Sequence, residues 1–486
     1  MRAAQRARRS EASFHVPGHK RGAVALESAR QVIGDTAFAH DLTELPGLDY
    51  LAFPKEVIKK SQKLASTAFQ AKQTWFLVNG TTVGIHAAVM ASCRPGDCLL
   101  LARNCHQSAF AAAVFAGCDT VYVQPECDAQ LGIAHGVCPE ALQQALEAAV
   151  AAGKQVKAVL VVSPTYFGAI SDVQGLAQVC HRFDASLIVD EAHGSHLVFD
   201  PAFPQSALSC GADCVIQSSH KTLSALTQAA MLHVQGTRMD AARISQALQL
   251  LQSSSPSYLL MASLDGARAH AQQQGVWEEP LRAGRAISSA LQELPGLEVL
   301  SQDHVGIDAV VAVDPLRVTV GTQRLGLTGN DVSQKLEKEF AVVAELATQQ
   351  VVVFALGIGT KMEHAEQLIA AFKALCRQYE GQPGDSTAKL QQAASCMSRF
   401  APSVIHPQLS LRDAFFASTT RVAAAEAVGR VSAELLCPYP PGVPLAIPGE
   451  VLQQDTIQEL QQVVASGGTV TGASDASLAT HLVIVQ

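Results

Sequence analysis

The feature that most restricts the fold of this chain is a series of short segments between residues 74 and 235 that are apolar at every position rather than at alternate ones. TWFLV (74–78), CLLLA (98–102), TVYVQ (120–124), AVLVV (158–162), SLIVD (186–190) and DCVIQSS (213–219) all have strand length. A strand with one wet face alternates, so a continuous apolar run implies cover on both faces. Helical patterns such as PEALQQALEAAVAAG (139–153) and DVQGLAQVCHRF (172–183) lie between them and are long enough to serve as crossovers. The pattern predicts an α/β fold, a mostly parallel sheet flanked by helices. In such sheets ligands sit outside the carboxyl ends of the strands.

The chain has 486 residues, which suggests more than one core. Residues 1–295 are expected to form a large domain with an N-terminal segment, ending in a helical stretch from about 238. GLEVL, AVVAV and FAVVAEL then read as strands of a smaller α+β domain whose first part spans 296–379. EGQPGDSTA, from 380, has linker composition and opens a C-terminal portion (380–486) containing RDAFFA, the Pro-rich CPYPPGVPLAIPGE (437–450) and HLVIVQ. A formal charge of -8 argues against nucleic acid as a partner, which calls for a basic surface. The twelve cysteines form no Cys-x-x-Cys pair and no zinc-site spacing, so no metal is expected and the thiols read as buried and reduced. No apolar stretch is long enough for a membrane helix. The opening MRAAQRARRS, with four arginines and no acid, is either a solvated tail of a cytoplasmic protein or a remnant of plastid or other organelle targeting.

The segment LIVDEAHGSH (187–196) contains the Asp-Glu-Ala-His string with which helicases hold magnesium beside ATP. Such motors also need a G-x-x-x-x-G-K-[ST] loop to surround the phosphates. Gly153-Lys154 is followed by Gln155 and lacks the upstream glycine, so the ATPase interpretation fails. A different chemistry is suggested by DCVIQSSHKTLSALTQAAMLHV (213–234), where Lys221 follows an apolar strand directly. It could be a lysine whose ammonium snorkels to solvent. It could instead form an imine with an aldehyde cofactor, which uses the nitrogen chemically.

Pyridoxal phosphate would make three further demands. A carboxylate must keep its ring nitrogen protonated, and Asp190 ends the strand SLIVD. Its phosphate needs donors at a helix N-terminus, which Asn79-Gly80-Thr81-Thr82 supplies ahead of an Ala-rich helix. Its ring faces need flat groups, and His106 and His193 lie just past strand ends. Taken singly, Asp190 is equally a turn cap and Thr82 an ordinary N-cap. Together, in this order along one sheet, they form a demanding pattern.

The residues carrying this pattern resemble those of the bacterial-type ornithine/lysine/arginine decarboxylases, fold-type-I enzymes that depend on pyridoxal 5'-phosphate. The likeness runs through FHVPGHKRG (14–22), DLTELPGLDYLAFP (41–54), FLVNGTTVGIHAA (76–88), RNCHQS (103–108), SPTYFG (163–168), VDEAHGSH (189–196), QSSHK (217–221), SSSPSYLLMASLD (253–265) and PYPPGVPLAIPGE (438–450). The resemblance implies Lys221 as the Schiff-base lysine, Asp190 beside the pyridine nitrogen and His106 stacked on the ring. It also implies Thr81, Thr82, Ser218 and His220 near the phosphate, with His193 on the substrate side. Ser253, or Ser254 if the register slips by one, would reach the phosphate of a neighbouring subunit, and a homodimer is implied. The resemblance lacks the N-terminal response-regulator-like domain of the large inducible relatives. It also has Ile216 where those relatives often carry a small or hydroxyl residue.

The implied reaction is loss of CO2 from arginine, lysine or ornithine, with arginine favoured; His193 or Lys221 would return the proton. An aminotransferase, a lyase or a catalytically silent regulatory homologue is the alternative. An aminotransferase would anchor the substrate α-carboxylate, for which Arg399 and Arg421 are candidates. A basic substrate also needs an acid for its distal group, and Glu363, Asp413, Glu426, Glu434 and Glu450 are available. The His-Lys pair at 19 and 20 has no strand before it and reads as a loop.

Overall fold

The computed structural model describes residues 12–307, 309–379, 407–439, 443–465 and 468–485. The arginine-rich opening, the linker composition at 380–388, Cys396 and Arg399 lie outside the described residues.

Seven strands form the central sheet: β1 (Gln73–Leu77), β2 (Cys98–Ala102), β3 (Asp119–Val123), β4 (Val156–Val162), β5 (Ser186–Asp190), β6 (Cys214–Ser218) and β7 (Ala230–Val234). Their order is β1-β7-β6-β5-β4-β2-β3. Neighbours from β6 to β3 pair in parallel, whereas β7 is antiparallel to both β6 and β1. The six strands other than β7 therefore share one direction and end at one rim. Both faces are covered, as the continuous apolar runs require. Leu77 and Leu232 pack in the core beneath the helices Gly80–Ser92, Gln107–Ala116, Pro139–Ala151 and Val173–Arg182, while Phe76 and Met231 pack on the opposite side. Burying each such side chain stabilises the fold by roughly 1.5–3 kcal/mol.

The stretch from 238 to 295 contains the helices Ala241–Leu251, Tyr258–Ala271 and Glu278–Gln292. A second sheet follows, with β8 (Glu298–Val299), β9 (Arg317–Gly321), β10 (Leu346–Ala347) and β11 (Val351–Ala355) in the order β8-β9-β11-β10, antiparallel throughout. Two sequence expectations need correction here. FAVVAEL is not a strand: Phe340 ends the helix Gly329–Phe340, Ala341 closes it at φ 53, and only Leu346 at the far end enters β10. Its apolar residues Phe340, Val342 and Ala344 pack against the core at the helix exit, which imitates strand composition. AVVAV contributes just Ala312–Val313, and this pair joins Ala169–Ile170 rather than the second sheet.

The C-terminal portion carries β12 (Thr419–Ala423), β13 (Cys437–Tyr439), β14 (Thr469–Thr471) and β15 (Thr480–Ile484), paired β12 with β15 and β13 with β14, plus the helix Gln454–Ala465. It is fastened beside β2 by a buried ion pair. Arg103 Nη1 and Nη2 donate to Glu450 Oε1 and Oε2 at 2.7 and 2.8 Å, and Nε donates to the Pro444 carbonyl. Leu411 and Ile447 complete the join within the core of the large sheet.

Candidate active site

The shared rim gathers residues from strands far apart in sequence. Asp190 ends β5, and Ser218 ends β6 and leads into the turn that carries Lys221. His106 follows β2, Tyr166 follows β4, and Gly80 opens the helix after β1. Arg317 opens β9 of the second sheet and reaches the same cluster.

Lys221 is exposed as a residue of the single chain, yet its Nζ lies 3.0 Å from Nε2 of buried His193. Arg317 Nη2 lies 2.7 Å from the other ring nitrogen, Nδ1. The Tyr166 ring meets the His193 ring edge-on at 4.8 Å and lies 5.7 Å from the Arg317 guanidinium carbon. Its hydroxyl donates to Glu345 Oε1 at 2.7 Å. Burial lowers the Lys221 pKa, Asp190 and Glu345 oppose that shift, and Arg317 adds to it. His193 is held well below the usual imidazole range by burial and then by the cations Arg317 and Lys221. Asp190 is raised by burial, against the pull of Lys221 and His106.

His106 caps the helix Gln107–Ala116, its Nδ1 accepting from Ser108 N and contacting Ser108 Oγ at 2.9 Å, which fixes the ring. His220 Nδ1 lies 3.1 Å from the Ala229 carbonyl. At the helix Gly80–Ser92 the N-cap Asn79 makes no side-chain cap bond, because its Oδ1 accepts from Ser253 N at 3.2 Å. The first-turn N–H groups beside Thr81 and Thr82 thus stay free of that cap. Gly80 has φ +74, and a Cβ there would meet nothing within 4 Å. The helix lies close to the sheet because of Gly84, where a Cβ would come within 2.8 Å of Ile216 Cγ2. Ile216 therefore packs beneath this helix, beside its register partner Asp190. Ser253 and Ser254 also line a cavity of about 410 Å³ with Tyr50, Phe53 and Trp75.

These residues fit pyridoxal phosphate. A lysine amine, a buried carboxylate on the adjacent strand, a capping histidine and a helix N-terminus without a side-chain cap, whose Gly80 N–H donates to the Gln228 carbonyl, converge on one rim. The Ser219 hydroxyl is buried there without a partner.

The expected acids divide. Glu450 is spent on Arg103, Glu434 accepts from Ser474 N and Leu482 N beside His481, and the Asp413 carboxylate accepts from the hydroxyl of Ser410, the N-cap of its short helix. These three are committed elsewhere, as the buried environment of the first two requires. Glu363 sits exposed beside Lys361 and His364, and Glu426 lies in the short helix Ala424–Ala427. Besides Asp190, the cluster draws on Glu345 and on buried Asp314, which faces Arg317 and His196; sequence reasoning missed both. Arg421 bonds Thr480 in the C-terminal pair of strands; the arginine at the site is Arg317, also missed. The same signal that singled out Lys221, a cation next to an apolar strand, was present in RVTVG. Glu191 of the helicase-like string turns into the core, where it accepts from Ala207 N and Gln217 Nε2. The pair at 19 and 20 lies in a turn, with Lys20 at φ 50 and His19 3.2 Å from Asp41.

Residues 3–364 match the model of the Orn/Lys/Arg decarboxylase major domain, and residues 389–468 match that family's C-terminal domain. The chain belongs to the Orn/Lys/Arg decarboxylase family. Membership makes it an amino-acid decarboxylase, of the same fold as fold-type-I pyridoxal-phosphate enzymes. It is 35% identical over 481 residues to an arginine decarboxylase of Bacillus subtilis, covering 99% of this chain and 95% of that one. Its fold matches the crystal structure of a Francisella novicida lysine decarboxylase with a TM-score of 0.85 at 21% identity, covering all of this chain and 80% of the other. A ureidoglycine-glyoxylate aminotransferase from Bacillus subtilis aligns over 70% of this chain and 89% of its own at a TM-score of 0.53 and 16% identity. Among the described residues, no helix is long and apolar enough to cross a membrane.

Proposed function

We propose that this family member binds pyridoxal phosphate through Lys221 and decarboxylates a basic amino acid, arginine first among them. The observation that carries this reading is the Lys221 amine held 3.0 Å from a neutral histidine, at the rim where Asp190 is buried on the next strand. When bound, the cofactor supplies a carbonyl carbon for an amine and a ring that accepts the electron pair released with CO2. Lys221 would hold it covalently, the first-turn N–H groups near Thr81 and Thr82 with Ser218 and Ser219 would hold its phosphate, and His106 would lie against the ring. Asp190 would face the ring nitrogen; a cation there offsets the penalty of burying its carboxylate. His193 or Lys221 would return the proton to the substrate carbon.

The choice of arginine draws support from the arginine decarboxylase of Bacillus subtilis, and the basic class from Glu345. Tyr166 orients that carboxylate, leaving its remaining lone pairs for an ammonium or guanidinium. We further propose that the chain works as a homodimer. Phe14, Val24, Leu26 and Val32 of the N-terminal arm are exposed on the single chain, and an apolar surface of this kind calls for a partner.

A side-by-side assay with arginine, lysine and ornithine tests the reading: CO2 and the corresponding amine are expected, fastest from arginine. Arg317 is the observation that favours a transaminase instead, since a carboxylate could satisfy its free nitrogens. Formation of a keto acid without CO2 would establish that alternative.

A further inference from the structure

We propose that Arg317 is a positioning residue that fixes the tautomer of His193 and so directs the Nε2–H of that ring at the nitrogen of Lys221. The inference deepens the role given to Lys221 and rests on it.

The argument begins with what each group can donate. A guanidinium has five N–H donors and no acceptor, so at 2.7 Å from Nδ1 it can only donate. Nδ1 must therefore carry a lone pair, and a neutral imidazole then has its proton on Nε2. That proton faces Lys221 Nζ at 3.0 Å. An ammonium has no lone pair, so the contact is a hydrogen bond only if Lys221 is the free amine, the nucleophilic form. One arginine thus selects both the ring tautomer and the protonation state of the lysine beyond it.

The surroundings are built around this contact. Arg317 is 3% exposed and its stem passes directly over Gly168, where a Cβ would stand 2.7 Å from Arg317 Cβ and 2.8 Å from Cγ. Gly168 lies at φ +100, which L side chains rarely adopt, so the position is closed to other residues in two ways. Tyr166 contacts both partners, flanking the guanidinium and abutting the imidazole. Arg317 Nε and Nη1 are buried without hydrogen-bond partners. An arginine serving stability alone would have its donors satisfied; here Nη2 is used on His193 while two others go without.

The charged and titratable groups facing this pair come from every neighbouring element. His193 is met by Arg317, Lys221, His106 and His220, Lys221 by Asp190, Arg317 and Glu345 as well as His193, and Arg317 itself by Asp314, Tyr166 and Glu345. Arg317 could therefore act on Lys221 directly through its charge, and the experiment has to separate that from the route through the ring.

The test uses the full chain without added cofactor. Reductive methylation of Lys221 with formaldehyde and cyanoborohydride, quantified by peptide mass spectrometry from pH 6 to 10, reports the free amine. Nitrogen-15 spectra of histidine-labelled protein report the His193 tautomer. Arg317→Met is expected to lower labelling at pH 7 by about tenfold, equivalent to a midpoint about one pH unit higher. It should also redistribute the His193 proton between the two nitrogens. Arg317→Lys, which keeps a donor, should restore much of both signals. In a His193→Phe background, Arg317→Met should change labelling by less than about twofold, because the relay is already broken. The same tenfold loss in that background would mean direct repulsion and would overturn the inference, as would an unchanged His193 spectrum in Arg317→Met. Should Arg317→Met not fold, the Arg317→Lys and His193→Phe profiles with the wild-type spectrum decide between an Nε2–H ring and an Nδ1–H ring. If the labelling pattern holds but pyridoxal phosphate produces no visible imine absorbance, the cofactor reading fails while the tautomer assignment stands.

Discussion

At the scale of single residues, the site divides into groups that sit next to strand ends in sequence and groups that folding brings in. Lys221, Asp190, His106 and His193 belong to the first kind, and their places at or just past the ends of apolar runs made them legible. Arg317, Tyr166 and Glu345 belong to the second. Tyr166 lies in SPTYFG, a segment quoted for its resemblance without a role, and Glu345 lies in a segment misread as a strand. Nothing in linear spacing ties them to Lys221, which lies 55 residues from Tyr166, 96 from Arg317 and 124 from Glu345. The consequences are measurable. Lys221→Ala should abolish both amine production and visible imine absorbance, while Asp190→Asn should keep the absorbance and slow turnover by at least about a hundredfold. Glu345→Gln should raise the KM for arginine by about tenfold, through loss of a charge-assisted hydrogen bond, with a smaller change in kcat. It should also narrow the preference for arginine over citrulline, its uncharged analogue, which calorimetry with agmatine on the cofactor-free chain would check independently.

At the scale of elements, the apolar runs were enough to foresee the parallel sheet, but they could not show the polar chain that crosses it. Thr74 Oγ1 on β1 lies 2.8 Å from His233 Nδ1 on β7, His233 Nε2 lies 3.1 Å from Gln217 Oε1 on β6, and Gln217 Nε2 donates to Glu191 Oε2 just past β5. Thr74 and His233 are 159 residues apart in sequence, so only the strand order reveals the series. Burial pushes Glu191 up to about 8 and His233 down to about 3, which leaves the histidine neutral. The native Glu191 holds its proton at pH values where the unfolded one, near 4.5, has lost it. Its stabilising contribution is therefore complete below about pH 4.5 and is lost as pH rises toward 8, by at most about 1.4 kcal/mol per pH unit. Thermal unfolding from pH 5 to 8 should show this decline, and Glu191→Gln should flatten it. An unaltered slope in the variant would place the titration elsewhere.

At the scale of the whole molecule, the Arg103–Glu450 pair joins the C-terminal portion to the large sheet three residues before His106. Both side chains are buried, so removing one leaves a charge without its counterpart. Glu450→Ala should destabilise the protein by about 3–5 kcal/mol, whereas replacing both, Arg103→Met with Glu450→Leu, should restore most of that loss. Calorimetric unfolding measures both, and limited proteolysis should find the C-terminal portion cut first in the single variant. The reversed direction of β7 has a different reach. Because Ser218 and Ala230 are register partners, the peptide between them leaves the rim and returns to the neighbouring position, like a handle with both feet on one edge. Extra residues spliced into its far side, between Ser224 and Gln228, would lengthen the handle without displacing either foot, so the reactive amine near its first foot should keep its place.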